Sequence, residues 1–207
     1  MATAPDGCTY TPALMTRLAP SIAAALAGAL TASTSGQDLR VLVFSKTAGF
    51  RHDSIPAGIA AIQSLAPQHC FAVETTEDAS QFNPTNLARF RVVVFLCTTG
   101  DVLDPAQQFA FEDWFRAGNG WVGVHSATDT EYTWPFYGQL IAGAYFAGHP
   151  AIQPATIIVE NPNHPSTAHL PSPWARTDEW YNFQVNPRPL AKILLRLDES
   201  TDRKSVV

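Results

Sequence analysis

Between Leu39 and Val124, short apolar runs rich in β-branched residues alternate with segments of helical rhythm, and this confines the chain to βαβ units around a parallel sheet. Leu39-Arg40-Val41-Leu42-Val43-Phe44-Ser45 and Val92 to Cys97 are the near-continuous hydrophobic runs expected of strands buried on both faces. Phe71 to Thr75 and Trp121-Val122-Gly123-Val124 supply two more strands. Ser54 to Gln68 reads as a helix, with Ile55, Ile59, Ile62 and Leu65 on one buried face, Ser54 as cap and Pro56 in the first turn. Asn83-Pro84 opens a helical turn running to Phe90. Asp104 caps a predicted helix from Pro105 to Ala117 that carries Phe109, Trp114 and Phe115 and stops at Gly118-Asn119-Gly120. Past Pro135 the pattern loosens. Phe136 to Ile141 reads as helix, Ala155 to Val159 and Ile193 to Leu197 as strands, and Asn161 to Pro173 as a Pro- and His-rich surface loop.

Composition agrees with one well-packed domain. Of 207 residues, 46% are hydrophobic and only 15% charged, against about 25% in a typical globular chain. The net charge is −5 and Lys and Arg form no run, so the chain has no basic face to follow a phosphate backbone and nucleic acid is not an expected partner. Cys8, Cys70 and Cys97 lack the paired spacing of metal ligands and read as structural; a Cys70–Cys97 disulfide is a conceivable pairing.

The ends read differently from the middle. Met15 to Ala32 has the form of a secretory signal: Arg17, an apolar stretch from Leu18 to Leu30, and small residues for cleavage after Ala29 or Ala32. Met15 is then the expected start, residues 1–37 an extension and leader, and the mature protein an exported one that does not remain inserted in a membrane. The alternative is a poorly packed N-terminal helix. Asp202-Arg203-Lys204-Ser205-Val206-Val207 reads as the translation of a sequencing adapter, so a domain over residues 38–201 is expected to continue further in the natural product.

Ligands of such sheets sit at the carboxyl ends of the strands, and the residues there carry chemistry. After the first strand, Ser45 to Asp53 brings hydroxyls, Lys46, Arg51 and His52 to a helix N-terminus, a place suited to an anion or a polyhydroxylated ligand. It lacks the spaced glycines of a phosphate loop. After the third comes Thr98-Thr99-Gly100-Asp101. The fourth ends in Gly123-Val124-His125-Ser126-Ala127, followed by Asp129: small residues around a central side chain, as in a strained strand-to-helix elbow. The centre is His125, fit for proton transfer or metal binding; Ser126 is one position late for an elbow nucleophile. A hydrogen-bonded structural histidine is the alternative. Gly148-His149-Pro150 sets another imidazole in a tight turn, and Arg176 to Phe183 packs Asp178 and Glu179 against Trp180, Tyr181 and Phe183, a pattern common where sugars bind. His52, His125 and His149 could hold a metal with a carboxylate, but none has short-range ligand spacing, and no metal or cofactor is assigned. His69, His164 and His169 read as solvated loop residues.

Taken together, FSKTAGFRHDSIPAGIAAI, TTGDVLDPAQQFAFEDWFRAGNGWVGVHSATDTEYTWPFYGQLI, GHPAI and RTDEWYNF resemble the ThuA-like, or trehalose-utilisation, family over nearly all of Leu39 to Ser200. The resemblance implies a flavodoxin-like three-layer α/β/α fold with a mainly parallel sheet, related to class I glutamine amidotransferases. It implies that His125 stands where those enzymes keep a cysteine nucleophile, so that glutaminase chemistry is not expected. It also implies a role in the use of trehalose or related disaccharides. The matching positions are His52, Asp53, Thr99, His125, Asp129, His149, Glu179 and Tyr181. Family members usually continue past the LDES-like strand, which this chain does not. On these grounds the expected function is processing of a small-molecule sugar. His125, with Glu179 or Asp129, does the acid–base work, and Arg51, His52, Asp53, Thr99, His149, Trp180 and Tyr181 bind substrate. A non-catalytic carbohydrate-binding module and a metal-dependent hydrolase are the alternatives. No oligomeric state is read from the sequence.

Overall fold

The β-branched runs pair as their burial demands. A computed structural model of the chain describes residues 39–202; the signal-peptide and start-site expectations, Cys8, and the tail beyond Asp202 lie outside the described residues. Strands β1 (Leu39–Phe44), β2 (Phe71–Thr76), β3 (Val92–Leu96) and β4 (Gly120–Val124) form one parallel sheet in the order β2-β1-β3-β4. The order reverses between β1 and β3, which creates the switch point where open α/β sheets take their ligands.

Alternation along β1 and β3 accounts for the layers. Leu42, Phe44, Val93 and Phe95 point into one cluster with Phe82, Phe111, Trp114, Trp134 and Tyr137. Val41, Val43, Val94 and Leu96 point into the other, against Ile55, Ile59 and Ile62 of helix α1 (Ile55–Leu65). On the aromatic side lie α2 (Pro84–Leu87), α3 (Pro105–Arg116) and α4 (Pro135–Leu140). The result is the α/β/α layering of a flavodoxin-like fold, as expected. Asp104 caps α3 through a reciprocal capping box with Gln107.

Some local expectations need correction. Ser54 occupies the cap position of α1, but its hydroxyl makes no capping bond and lies 3.8 Å from the Cys97 sulfur. Leu65, the last residue of α1, is 44% exposed, and Phe109 is 75% exposed, because Ala110, Phe111 and Trp114 form the buried face of α3 instead. Cys97 is a free, buried thiol, so it is not joined to Cys70.

The remaining strands are antiparallel. β6 (Gln153–Val159) pairs with β7 (Trp174–Asp178) and β9 (Leu195–Leu197), and β5 (Phe146–Gly148) pairs with β8 (Asn182–Phe183). The link from β7 to β8 is the acid–aromatic segment Glu179-Trp180-Tyr181. Among the described residues no helix is long and apolar enough to cross a membrane.

Candidate functional site

His125 immediately follows β4 and begins a 3-10 turn over His125–Thr128 with φ of 52°, a left-handed conformation that only glycine adopts without strain. This is the elbow geometry expected from its neighbours, and the structure shows why they are small. A Cβ on Gly123 would lie 2.6 Å from the Trp121 ring and 3.1 Å from the Ala127 Cβ. Tyr137, fully buried, donates its hydroxyl to the Ala127 carbonyl at 2.6 Å and ties the turn to the aromatic core.

The strand-end loops are sewn beside it. The parallel ladder continues as isolated bridges, Thr47 with Thr99 and Gly100 with Thr130. The Thr99 hydroxyl, buried, donates to the Phe50 carbonyl at 2.8 Å and accepts from Gly49 N–H at 3.1 Å. These bonds hold the loop that carries His52. The His52 and His125 Nε2 atoms meet at 3.0 Å, rings edge to face. From the antiparallel part, Glu179 brings Oε2 to 3.2 Å from His125 Nε2 and 3.9 Å from His52 Nε2. Tyr181 sets its hydroxyl 3.2 Å from the same His125 nitrogen. Four polar side chains from three distant stretches thus converge at the carboxyl rim of the parallel sheet.

Burial, with His125 beside it, pushes the His52 imidazole below its usual range; Glu179 opposes this without reversing it. Burial, reinforced by Glu179, raises the Tyr181 phenol, which stays protonated and can donate. Burial likewise raises the Cys97 thiol at the end of β3, away from the reactive thiolate.

The other expected site residues stand outside the four-residue cluster, in different settings. Arg51 forms a two-point ion pair with Glu77, and Asp53 is exposed. The Thr99 hydroxyl is used in holding its loop. Asp129 lies near enough to act electrostatically on His52, but its carboxylate accepts the Tyr132 hydroxyl at 2.5 Å, leaving Glu179 as the acid paired with His125. The exposed His149 donates Nδ1–H to the Pro150 carbonyl at 2.7 Å and stacks on Tyr181 at 5.8 Å. Trp180 donates its indole N–H to the Gln153 carbonyl at 2.8 Å, anchoring the Glu179–Tyr181 link on β6.

Two contributors escape sequence reasoning. Ser126, fully buried, places Oγ 3.4 Å from His52 Nδ1 and so backs the far side of that ring. Glu131, also fully buried and left-handed at φ 54°, accepts the backbone N–H groups of Val102 and Leu103 at 2.8 and 2.7 Å and the Gln108 amide at 2.6 Å. An acidic residue in a weakly charged chain is the only hint of Glu131, and it does not distinguish a buried carboxylate from a solvated one.

Comparisons with known proteins agree with the fold. A family model described as ThuA, trehalose utilisation, matches residues 40–206. Among solved structures, a protein described as ThuA-like from Bacteroides uniformis superposes with a TM-score of 0.68 at 24% identity, covering 79% of this chain and 69% of that one. A second, from Parabacteroides merdae, gives a TM-score of 0.63 at 18% identity over 79% of this chain and 70% of that one. The comparison with curated proteins gives no match.

Proposed function

The chain belongs to the ThuA, or trehalose-utilisation, family, and we propose that it is an exported enzyme that transforms a trehalose-like disaccharide, or an oxidised derivative of one, at the His52–His125–Glu179–Tyr181 cluster. The observation that carries this reading is the convergence of His125, His52 and Glu179, with contacts of 3.0 and 3.2 Å at one ring nitrogen. A structural histidine needs one partner for that nitrogen; this one is crowded by reactive groups and held in strained backbone, as functional residues are.

His125 and Glu179 act as one unit at the reacting atoms. Tyr181 and His149 offer a stacked aromatic wall and polar edges to a sugar, whose faces are apolar and whose rim is hydroxyls. Arg51 stays outside this arrangement because Glu77 holds it.

A screen of the full chain against disaccharides and their 3-keto forms tests the proposal. Turnover of one of them is expected, with His125→Ala lowering kcat/KM by about 100-fold or more. Unchanged turnover by that variant sinks the role of His125. Saturable binding without any turnover favours a carbohydrate-binding module instead.

A further inference from the structure

We propose that His52 Nε2, His125 Nε2 and Glu179 Oε2 form a binding site for one divalent transition-metal cation, with zinc as the best fit. This deepens the functional reading above and rests on the same cluster.

The first argument is a conflict that protons do not resolve. His125 Nε2 has His52 Nε2 at 3.0 Å, Tyr181 Oη at 3.2 Å and Glu179 Oε2 at 3.2 Å. A ring nitrogen offers either one N–H or one lone pair. If it carries the proton, that single N–H cannot align with both His52 and Glu179. If it carries the lone pair, the Glu179 carboxylate faces a second lone pair at contact distance. Glu179 Oε2 is buried and has no aligned hydrogen-bond donor in either case. Such an atom is costly to bury. A cation placed between the three lone pairs removes every one of these conflicts.

The second argument is metric. The three donor atoms are 3.0, 3.2 and 3.9 Å apart. Ligand atoms about 2.0–2.1 Å from a tetrahedral zinc are about 3.4 Å from one another. A single ion therefore reaches all three without large movement of any side chain, and these atoms are the ones the described residues bring within 4.8 Å of each other.

The surroundings match those of a metal site. Ligating imidazoles bind through one nitrogen and are oriented through the other; His52 has Nδ1 at 3.4 Å from the Oγ of Ser126, which is fully buried. His125 is aimed by its strained elbow, and the His52 loop is fastened by Thr99. Two imidazoles and one carboxylate without thiolate suit zinc, and also ferrous iron. Three protein ligands leave a fourth position for water or for a hydroxyl or carbonyl oxygen of a sugar, as catalytic sites require. Tyr181 Oη stands beside that centre.

The full chain, purified and treated with chelator, is titrated calorimetrically with zinc chloride and, anaerobically, with a ferrous salt. One ion per chain is expected. Changes that only disturb ligand orientation already cost about 10–100-fold in affinity, so His52→Ala and the isosteric Glu179→Gln are each expected to weaken binding by more than about 100-fold, while Arg51→Ala leaves it unchanged. Cobalt chloride is expected to give the visible absorption of a tetrahedral nitrogen–oxygen site with no sulfur charge-transfer band. No bound ion, or binding that survives both ligand substitutions, overturns the proposal. Sugar turnover by a chain that binds no ion in the titration sinks the metal site and leaves the enzymatic reading intact; an ion held by the three residues with no sugar turned over does the reverse.

Discussion

The site's strain is concentrated in single residues. Cys97, His125 and Glu131 have φ of 51°, 52° and 54°, although none is glycine; Cys97 and His125 directly follow β3 and β4, and Glu131 lies in the segment after β4. A side chain in this region costs about 1–2 kcal/mol, and at His125 it aims the imidazole at Glu179. The strain can be isolated from the imidazole by comparing two truncations. Glycine is normally the less stable of the pair by about 0.5–1 kcal/mol. At position 125 the left-handed backbone reverses the order, so His125→Gly is expected to exceed His125→Ala by about 0.5–1 kcal/mol in urea unfolding. Equal stability, or a more stable alanine variant, would show that the elbow carries no strain.

Among elements, the junction that matters most is the one between the loop after β3 and the segment after β4. Glu131 makes it by accepting three hydrogen bonds. Burial nonetheless outweighs them and raises its carboxyl above the ordinary value of 4.5. A carboxyl that binds its proton more tightly folded than unfolded adds stability in acid, and that addition fades as pH rises from 4.5 through the folded value. Glu131→Gln can keep both backbone bonds through its amide oxygen and does not titrate. The melting-temperature advantage of the natural protein over Glu131→Gln is therefore expected to shrink as pH rises through that window; an advantage that is constant or grows would refute the sign. The elements themselves are legible in the sequence because hydrophobic pattern is local. β1, β3, α3 and its Asp104 cap fall where periodicity places them, and the elbow is visible from its small residues. What is not legible is anything decided by distant partners. Arg51 is captured by Glu77 and Asp129 by Tyr132, while Ser126, set aside as an elbow nucleophile, ends against His52. Likewise no local spacing relates residues 52, 125 and 179, which the fold alone assembles.

At the scale of the molecule, the parallel sheet is one body and the antiparallel strands, in two small sheets, are treated as the other; among the described residues no strand pairing joins the two. Several of the contacts between them lie at or near the site. Glu179 and Tyr181 reach His125, the Tyr132 hydroxyl reaches the Phe146 carbonyl at 3.2 Å, and the Tyr145 hydroxyl reaches the Glu131 carbonyl at 3.1 Å. The two aromatic rings of that last pair of tyrosines stack at 4.9 Å. A boundary made this way ties the docking of the β7–β8 segment to the same side chains that carry the chemistry. Opening there should then be a local event, since the aromatic core beneath β1 and β3 does not depend on it. Hydrogen exchange followed by mass spectrometry can separate the two bodies. With Glu179→Ala combined with Tyr181→Phe, amides of residues 174–183 and 146–148 are expected to exchange faster by about tenfold or more, a loss of about 1.4 kcal/mol or more in opening free energy, while those of β1 and β3 keep their protection. If β1 and β3 lose protection to the same extent, the two bodies unfold as one unit, and the site is a structural keystone of the whole fold as well as the place where its loops meet.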